Sequence, residues 1–581
     1  MNKRADFNDI GKQFHIDPVI ARIIRNRDIT DLYDIKKYLY GNEKDLYDAH
    51  LLKDADLLVS ILENKIKENK SIRIINDYDT DGVCSGYILL NGLKKCGAKV
   101  SIRVPDRMKD GYGINQAIIE QAHNDDVDTI ITCDNGIAAI NEIAYAKSLG
   151  MTVLVTDHHS IPYKDDENGN RTYLRSEADA IVNPHQIECT YPFDGLCGAG
   201  VAYKVIVLLY EKFRISATEL DELLEFAAFA TVADVMDLKD ENRLIVRLGL
   251  KRIRGTKNIG MRALIEANGL QPIQINSYHF GFILGPCVNA SGRLKTAQMS
   301  LELFMETNED KALKVAQELV ALNGERKDLT QQGLDEALKQ ITDKNMENDK
   351  VLVVYLPEVH ESLAGIIAGR IREAYYKPVF VLTKGEEGVK GSGRSIEEYS
   401  MFEEMNKCSE YLDKFGGHPM AAGLSLKEEN ISKFREALNR NVTLTEEDLI
   451  EKVHIDVPMP LDYATKELVQ QFQLLEPFGK ANTKPIFADK NIRILSLNVV
   501  GKNQNVLKMK ISNESNRNME AMFFGDIEKF KNYCIEKFGE EAYQKAENGA
   551  ENDIRLSIIY YPGINAFRGV ETLQITINDY I

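Results

Sequence analysis

The residues best suited to chemistry in this sequence are acids and histidines that follow short apolar segments. They form three groups: Asp77, Asp79 and Asp81 in DYDTDG, Asp134 in CDNG, and Asp157, His158 and His159 in TDHH. In an open parallel sheet, ligands bind outside the carboxyl ends of the strands, so we expect these groups to share one crevice. A spacing of two would also place the first three acids on one side of an extended chain.

Carboxylates gathered in one crevice predict a cation site. They cannot all stay ionised unless their pKa values rise or a cation is bound. Oxygen ligands with an imidazole and no thiolate favour Mn²⁺ or Mg²⁺. Two ions about 3.5–4 Å apart would suit hydrolysis of a phosphate ester, because one activates the attacking water and both stabilise the transition state. We therefore predict two ions, with Asp134, His158 and His159 as catalytic residues.

The two adjacent histidines have different predicted roles. Neighbouring side chains on an extended segment point to opposite sides. We assign His158 as the metal ligand and His159 to a phosphate contact or to support of the ligands, and the reverse assignment stays open.

A structural explanation exists for each acidic group taken alone. An aspartate after a strand often caps the next helix, and Asp-Gly is an ordinary turn. Three such groups at three strand ends favour a functional site over coincidence.

The elements that would position these residues alternate between strand and helix. Apolar strands are predicted at 71–76, 99–105, 128–133, 151–156 and 178–182, with helices at 83–96 and 114–123 between them. Repeated units of this length imply a parallel, doubly wound sheet. An N-terminal segment, residues 1–70, is predicted to be helical and includes a helix start at Asp17-Pro18.

Three further blocks follow the first sheet. The region 201–341 is mainly helical and ends in a long charged helix from Asn308. Strands at 351–355 and 379–383 flank a helix at 364–375, which predicts a smaller α/β domain. Five strand segments and one helix after residue 456 fit a small oligonucleotide-binding (OB) barrel. The predicted domains are 1–70, 71–307, a connecting helix at 308–345, 346–450 and 451–581.

Composition narrows the class of protein. Of 581 residues, 44% are hydrophobic and 28% charged, as in globular proteins, and the net charge of −17 argues against a nonspecific nucleic-acid coat. The eight cysteines form no C-x-x-C pair. The start, MNKRADFNDI, lacks the apolar segment of a signal peptide, and no long apolar run occurs, so we expect a cytoplasmic protein with no membrane contact.

The motifs resemble a known superfamily. DYDTDG, TCDNG and TDHH are similar to successive motifs of the DHH phosphoesterases. VPDRMKDGYG, LCGAGVAYK, TVADVMDL and NASGRL resemble signatures of the RecJ family of single-strand-specific exonucleases. HESLAGIIAGRI, GSGRS and FGGHPMAAG resemble the associated DHHA1 domain, and LLEPFGKANTKPIF resembles the segment leading into that family's OB domain. The resemblance implies a parallel-sheet DHH domain, a long helix, a smaller α/β DHHA1 domain and a C-terminal OB-type β-barrel.

The resemblance also implies functional residues. The positions matching the family's metal ligands are Asp79, Asp81, Asp134, His158 and Asp234, with Asp77 as a weaker candidate. Asp234 lies outside the strand-end groups, and only the family match selects it. The candidates for contacts with nucleic-acid phosphates are Arg107, Asn289, Arg293, Ser392, Arg394, Gly417 and His418. Arginine suits these contacts because its planar guanidinium can hold a phosphate with two hydrogen bonds. The alternative for GSGR is a flexible turn with Arg394 in solvent.

Some segments depart from the family pattern. The segment Ala481-Asn482-Thr483 stands where the family usually has glycine and asparagine before proline. In HESLAG, Glu361 could cap a helix or orient His360, and the sequence does not decide between these roles. Phe478 and Phe487 are candidates for stacking on bases, although aromatic residues in a β domain are more often core.

The function expected from the resemblance is 5′-to-3′ hydrolysis of single-stranded DNA to 5′-mononucleotides in recombination and repair. The expected partners are single-stranded DNA, a RecQ-type helicase and a single-strand-binding protein. We expect a monomer because the strand channel would be built within one chain. One alternative is a phosphodiesterase of the same superfamily that acts on cyclic dinucleotides or short RNA. The other is a catalytically silent binding scaffold, which need not keep the acids that this chain retains.

Overall fold

The computed structural model describes residues 5–106, 110, 113–166, 170–385, 388–501, 503–567 and 569–581. The chain divides into two compact units. One comprises the described residues up to Gly285 together with His454–Ile581, and the other is Pro286–Val453. Within the described ranges, no helix has the length and apolar character needed to cross a membrane.

Four N-terminal helices open the first unit: α1 (Phe7–Phe14), α2 (Pro18–Asn26), α3 (Leu32–Tyr40) and α4 (Ala55–Lys67). The predicted start of α2 is confirmed, because the Asp17 side chain accepts a hydrogen bond from the Val19 amide and Pro18 occupies the first turn. The apolar faces of α2 and α3 pack into the same core as the C-terminal β domain. The sequence did not predict this shared core.

The predicted parallel sheet is confirmed. The strands are β1 (Ser71–Asn76), β2 (Lys99–Arg103), β3 (Thr129–Cys133), β4 (Thr152–Thr156) and β7 (Ala180–Val182), with a separate hairpin of β5 (Tyr163–Asp165) and β6 (Arg171–Tyr173). The order of strands in the sheet is β2-β1-β3-β4-β7, and all of its pairings are parallel. The helices are α5 (Thr80–Lys95), α6 (Gln116–Asn124) and α7 (Ile140–Ser148). The strand order reverses direction at β1 and β3, which is where such sheets bind ligands.

A helical region follows the sheet, as predicted. It contains α8 (Gly198–Phe213), α9 (Leu220–Ala233), α10 (Asp240–Ile253), α11 (Ile259–Ala267), the short α12 (Ser277–His279) and a π-helical turn at Phe280–Leu284. α13 (Gly285–Leu294), α14 (Gln298–Met305) and α15 (Glu309–Asp343) come next. The long helix predicted from Asn308 is confirmed, and the Asn308 side chain caps it by accepting a hydrogen bond from the Lys311 amide.

The second unit contains a five-stranded mixed sheet. Its elements are β8 (Leu352–Tyr355), α16 (Glu361–Tyr375), β9 (Val379–Gly385), β10 (Gly388–Arg394), α17 (Met401–Asn406), β11 (Lys414–His418), β12 (Ala421–Leu426) and α18 (Ile431–Asn441). The order of strands in the sheet is β11-β12-β10-β9-β8. Sequence reasoning found only β8 and β9. It missed β10 and β11 because they carry two glycines each in their interiors, and glycine has a low strand propensity.

The C-terminal part forms a six-stranded sheet. Its elements are β13 (Val457–Pro458), α19 (Lys466–Gln471), β14 (Phe487–Val500), β15 (Val506–Ser512), β16 (Asn518–Phe523), α20 (Ile527–Phe538), α21 (Glu540–Glu547), β17 (Arg555–Phe567) and β18 (Val570–Tyr580). The order of strands is β13-β14-β15-β16-β18-β17, and an additional β14–β17 pairing closes the sheet as a barrel. The predicted barrel-type fold is confirmed. Phe487 is fully buried in its core, so it cannot stack on bases.

A buried arginine joins three parts of the first unit. Arg243, on α10, donates hydrogen bonds to the backbone carbonyls of Tyr38, Leu474 and Glu476. Asn482, in the segment before β14, accepts a hydrogen bond from the Tyr38 hydroxyl of α3 at 2.9 Å. These polar contacts tie the N-terminal helices and the segment before β14 to the helical region.

Candidate active site

Residues after β1 form the first wall of the site. Asp77 is buried directly after the strand, and Asp79 is the N-cap of α5, where it accepts hydrogen bonds from the amides of Asp81 and Gly82. The prediction that an extended chain places all three acids on one side is wrong, because Asp81 lies in the first turn of α5. Gly82 allows this turn, since a Cβ there would lie 2.4 Å from the Asp77 carbonyl oxygen.

The N-terminus of α8 holds the Asp81 carboxylate in place. Its two oxygens accept hydrogen bonds from the amides of Gly198, at 2.6 Å, and Ala199, at 2.8 Å. A helix N-terminus suits a carboxylate because its amides and dipole both favour negative charge. Gly198 also lets the start of α8 lie close to Asp134, since a Cβ at this position would be 2.7 Å from the Cβ of Asp134.

Asp134 and His158 meet at the centre of the site. Asp134 follows β3 in a left-handed conformation with φ of 59°, a strained state typical of functional positions. His158 Nε2 lies 3.1 Å from Asp134 Oδ1, 3.5 Å from Asp81 Oδ2 and 3.9 Å from Asp234 Oδ2. The imidazole therefore lies among three carboxylates.

Asp234 completes this cluster from α9, where it is the C-cap residue. Three sets of side chains have ligand atoms within 4.8 Å of one another: Asp134 with His158 and His159, Asp81 with His158 and Asp234, and Asp77 with Asp79 and Asp134. Asp134 and His158 each belong to two sets. The structure therefore brings together all six predicted metal ligands.

The acids at the site perturb one another's pKa values. Burial, then the charges of Asp81 and Asp79, raise the pKa of Asp234 to about 8. Burial and the same two charges raise the pKa of Asp134 well above its usual range. Burial lowers the pKa of His158, against the attraction of Asp81. A site with protonated acids and a neutral imidazole is poised to bind cations, because a cation would favour ionised carboxylates and an unprotonated ring.

The two histidines differ in their surroundings. The prediction that their rings point in opposite directions is wrong, because the ring centroids lie 4.5 Å apart at a bend in the chain. The His158 side chain is 10% exposed and that of His159 is 45% exposed. His159 Nδ1 lies 2.7 Å from Asp157 Oδ1. Despite burial, the hydrogen bond and charge of Asp157 raise the pKa of His159 to about 9, so this ring carries a positive charge at neutral pH.

Asp157 supports both histidines. It is 1% exposed and accepts hydrogen bonds from the amides of Ile137, His158 and His159. Burial alone would raise the pKa of Asp157, but the hydrogen bond and charge of the His159 ring, followed by the amides of Ile137 and His159, lower it. Asp157 therefore stays ionised and fixes the local chain and the His159 ring.

The donor set at this site fits hard divalent cations. Its ligand atoms are carboxylate oxygens and imidazole nitrogens. The nearby thiols of Cys84, Cys133 and Cys197 are buried, and burial followed by the charge of Asp81 raises their pKa well above the usual range. Among the described residues, none of the three ligand sets includes a cysteine.

The predicted phosphate-contact residues, other than Arg107, lie in the second unit. Arg107 lies outside the described residues. Asn289 and Arg293 are four residues apart on α13, and Arg293 Nη1 donates to the Ser362 carbonyl at 2.8 Å. Ser392 and Arg394 lie on β10, against α16: a Cβ at Gly365 would lie 3.1 Å from Ser392 Oγ and 2.9 Å from Arg394 Nη2. The flexible-turn alternative for GSGR is wrong because this segment is a strand.

The strand register places His418, in the FGGHPMAAG motif, near Arg394, in the GSGRS motif. His418 on β11 pairs with Ala421 on β12, and Ala421 pairs with Arg394 on β10. Gly417 has φ of 149°, and a Cβ there would lie 2.4 Å from the Ala421 carbonyl oxygen. Glu361 neither caps α16 nor orients His360. The His360 side chain is itself the N-cap, and Glu361 forms an ion pair with Lys390 at 2.9 Å.

Sequence reasoning missed several supporting residues. The amides of Gly198 and Ala199 lie in LCGAGVAYK, which was noted as a motif without a structural role. Gly365 lies within HESLAG, and its role depends on how closely α16 approaches β10. Contacts of this kind join segments that are distant in sequence, so local patterns carry no signal for them.

Comparison with protein-family models gives three matches in order along the chain. They are the DHH family, N-terminal domain, at residues 71–231, the DHHA1 domain at 348–443 and the RecJ OB domain at 455–579.

Curated relatives carry the name single-stranded-DNA-specific exonuclease RecJ. The protein from Bacillus subtilis is 36% identical over 87% of this chain, and the chain spans 63% of its length. The protein from Salmonella typhimurium is 31% identical, with 97% of this chain and 95% of that protein covered. The Escherichia coli protein is 30% identical with the same coverage.

Solved structures agree in fold. Thermus thermophilus RecJ in complex with Mn²⁺ matches with a TM-score of 0.80 and 24% identity, covering 99% of this chain and 77% of that chain. Exonuclease RecJ bound to manganese matches with a TM-score of 0.57 and 31% identity, covering 67% of this chain and 94% of that chain. With its three domains in the family's order and relatives at 30% identity or more over nearly their full length, the chain belongs to the RecJ family of single-stranded-DNA-specific exonucleases.

Proposed function

We propose that this chain hydrolyses single-stranded DNA from the 5′ end to 5′-mononucleotides, using two Mn²⁺ or Mg²⁺ ions. The observation that carries the proposal is the buried cluster of acids around His158 at the carboxyl ends of β1, β3 and β4. Clustered carboxylates with raised pKa values are costly to a fold and are typical of metal-dependent active sites. The relatives' names supply the substrate, single-stranded DNA.

The three ligand sets suggest how two ions would be held. Asp134 is common to the set with Asp77 and Asp79 and to the set with His158, so we assign it as a ligand of the proposed metal site. Asp81 and Asp234 would complete the second ion's ligands with His158. Divalent ions bound there would activate water and stabilise the charge that develops on the cleaved phosphate.

The chain's own residues would place the substrate. His159, positively charged through Asp157, is suited to contact a phosphate oxygen beside the ions. We assign four residues of the second unit to phosphates of the strand: Arg293, Arg394, Ser392 and His418. Asn289 and Gly417, also in this unit, are assigned to the same role, and Arg107, which lies outside it, is assigned as a further cation. Binding through phosphates makes the affinity for the strand independent of its nucleotide sequence and sensitive to salt.

The biological setting of the proposal rests on family membership. We propose a monomer that acts in the cytoplasm in recombination and repair, with a RecQ-type helicase and a single-strand-binding protein as partners. The alternative, a phosphodiesterase for cyclic dinucleotides or short RNA, has less support, because the OB-domain match at 455–579 provides a surface that small substrates do not need.

The test is a nuclease assay with Mn²⁺. One oligonucleotide is labelled at either end and supplied in single- and double-stranded form. The proposal expects mononucleotides from the 5′ end of the single strand alone. Release from the 3′ end would refute the direction, and binding without cleavage would support the silent scaffold.

Two substitutions separate the metal site from the strand contacts. Asp134→Ala should abolish cleavage and leave single-strand binding largely intact, and unchanged turnover would remove Asp134 from the metal site. Arg293→Ala should weaken binding and lower the salt slope by about 0.7 for each lost phosphate contact on a single strand. An unaltered slope would remove Arg293 from the phosphate contacts.

A further inference from the structure

The loop that follows α9 has a strained backbone beside a candidate metal ligand. Asp234 is the C-cap of α9, and Val235 directly after it has φ of 57°. The amides of Val235 and Met236 donate hydrogen bonds back to α9, which is a common way for a helix to end in a left-handed residue. Glycine usually takes that position, and a β-branched residue there is strained unless its surroundings hold it. Val235 is 60% exposed, so burial of its side chain does not offset the strain.

A turn in the segment before the C-terminal barrel packs on this loop. Residues 479–482 form the turn, in which the amides of Gly479 and Asn482 each donate to the other residue's carbonyl, at 3.0 and 3.1 Å. The Lys480 carbonyl, within the turn, accepts a hydrogen bond from the Leu238 amide at 2.8 Å. Leu238 is 2% exposed, and a Cβ at Gly479 would lie 2.6 Å from its Cδ1. The loop and the turn belong to one compact unit and are joined by a backbone hydrogen bond and by close packing.

The turn is fixed on its other side by a buried amide. Asn482 is 1% exposed, and its side-chain nitrogen donates to the carbonyls of Leu475, at 2.9 Å, and Pro477, at 2.7 Å. Its side-chain oxygen accepts a hydrogen bond from the Tyr38 hydroxyl at 2.9 Å. Buried polar groups with all their partners in place make the local structure rigid. The turn is therefore a fixed support for the loop after α9, anchored on α3.

The charges on the loop and the turn contribute less than these contacts. Lys480 Nζ lies 3.2 Å from Asp237 Oδ1, and the two side chains are 59% and 43% exposed. An exposed ion pair adds little stability, because water and salt screen it. The backbone and packing contacts of Leu238 are therefore the main link between the turn and the loop.

We infer that the 479–482 turn positions Asp234 for metal binding. The metal centre is then complete only while the segment before the C-terminal barrel is docked on the loop after α9. Without the turn, Val235 would relax towards negative φ, and the Asp234 carboxylate would leave its place 3.9 Å from His158 Nε2. The ion assigned to Asp81, His158 and Asp234 would lose a ligand. This inference rests on the proposed function, because it concerns the same metal centre.

The test measures Mn²⁺ binding to the metal-free protein by isothermal titration calorimetry, without DNA. Gly479→Val places a branched side chain against Leu238 and displaces the turn. We expect the affinity for one Mn²⁺ to fall about 10- to 100-fold, the usual loss when a group that orients a metal ligand is changed. Gly479→Ala adds only the Cβ and should give a smaller loss, and it decides the inference if Gly479→Val does not fold. Thermal unfolding in EDTA checks the folding of each variant.

Two controls and one rescue variant separate positioning from general damage. Gly563→Val adds the same side chain on β17, where a Cβ would meet no atom within 4 Å. Asp237→Asn removes the ion pair with the turn and leaves the backbone contacts. Both should keep the Mn²⁺ affinity within about twofold. Val235→Gly removes the backbone strain, so in the Gly479→Val background it should recover most of the lost affinity.

Cleavage gives a second readout. Gly479→Val should cut single-stranded DNA poorly at the Mn²⁺ concentration that saturates the unsubstituted protein. Its cleavage should recover when Mn²⁺ is raised about 100-fold, because the loss lies in the affinity for the ion.

The outcomes distinguish the inference from the proposed function. Folded Gly479 variants with the Mn²⁺ affinity of the unsubstituted protein would overturn the inference, and so would a loss that Val235→Gly does not reduce. An unsubstituted protein that binds Mn²⁺ but cuts no DNA would refute the proposed function, while the Mn²⁺ affinities would still decide the role of the turn. An unsubstituted protein that binds no Mn²⁺ would overturn both.

Discussion

The substitution Asp234→Asn tests the electrostatics of the candidate metal centre directly. It removes one negative charge from the cluster and keeps nearly the same shape. Asp234 Oδ2 lies 3.9 Å from His158 Nε2, and its pKa is raised to about 8 by burial and then by Asp81 and Asp79. In the metal-free protein this carboxylate is therefore a source of instability.

The size of the effect follows from the raised pKa. The folded state keeps the proton until about pH 8, whereas the unfolded state loses it near the ordinary value of 3.8, so stability falls as pH rises between these values. At about 1.36 kcal/mol per pH unit, the full difference is about 6 kcal/mol. The side chain is 30% exposed, and screening by solvent reduces the effect. We expect Asp234→Asn to stabilise the metal-free protein by about 2 kcal/mol at pH 8.

The assay is thermal unfolding in EDTA and in Mn²⁺, combined with the nuclease assay. About 1 kcal/mol shifts Tm by roughly 2–4 °C in a domain of 150–250 residues, so the variant's Tm should rise by a few degrees in EDTA at pH 8 and by less at pH 5. Mn²⁺ at about 100 times its Kd should stabilise the unsubstituted protein by about 2.7 kcal/mol per ion and the variant by less. Cleavage by the variant should be lost.

Asp237→Asn is the matched control. Asp237 lies three residues further along, is 43% exposed and pairs with Lys480. It should change the stability by no more than about 0.5 kcal/mol and leave the response to Mn²⁺ intact. The reasoning is refuted if Asp234→Asn fails to stabilise the protein in EDTA, or if Mn²⁺ stabilises both proteins equally.

Three further predictions concern the stability of the first unit away from the metal centre. Ala481 has φ of 60°, a conformation that costs a residue with a Cβ about 1–2 kcal/mol, so Ala481→Gly should raise the Tm slightly, and a lower Tm would contradict this account. Burial raises the pKa of Glu225 from 4.5 to about 7, so stability falls as pH rises between these values. Glu225→Gln should then stabilise the protein by up to about 3 kcal/mol in urea unfolding at pH 8 and little at pH 5, whereas an equal gain at both pH values would refute the assignment. Arg243→Met should destabilise the first unit by about 2–5 kcal/mol in urea unfolding, because three backbone carbonyls lose their buried donor, and a neutral result would mean that water replaces the guanidinium.

Much of the site could be located from the sequence, because ligands bind at the carboxyl ends of parallel strands. Asp79, Asp134 and His158 could be assigned to one crevice because strand and helix periodicity is local, and a parallel sheet brings its carboxyl ends to one edge. The order of the strands came only with the structure. It places the reversal at β1 and β3, so the acids after these two strands face each other.

Asp234 shows what prediction from strand ends misses. Its local pattern is that of an ordinary acid at a helix end, and only the packing of α9 brings it within 3.9 Å of His158. The two histidines show the same limit, because a bend in the chain overrides the alternation expected of an extended segment.

What the sequence by itself determined is the order of the domains, the parallel sheet and most of the residues that could bind metal, since these follow from short-range periodicity and from motifs. Tertiary structure alone decided the hydrogen bonds from the N-terminus of α8 to Asp81, the glycine-rich strands of the second sheet, and the core shared by the N-terminal helices and the C-terminal barrel. Each of these depends on contacts between segments far apart in the chain. Their free energy comes from burial and hydrogen bonding that no local pattern encodes.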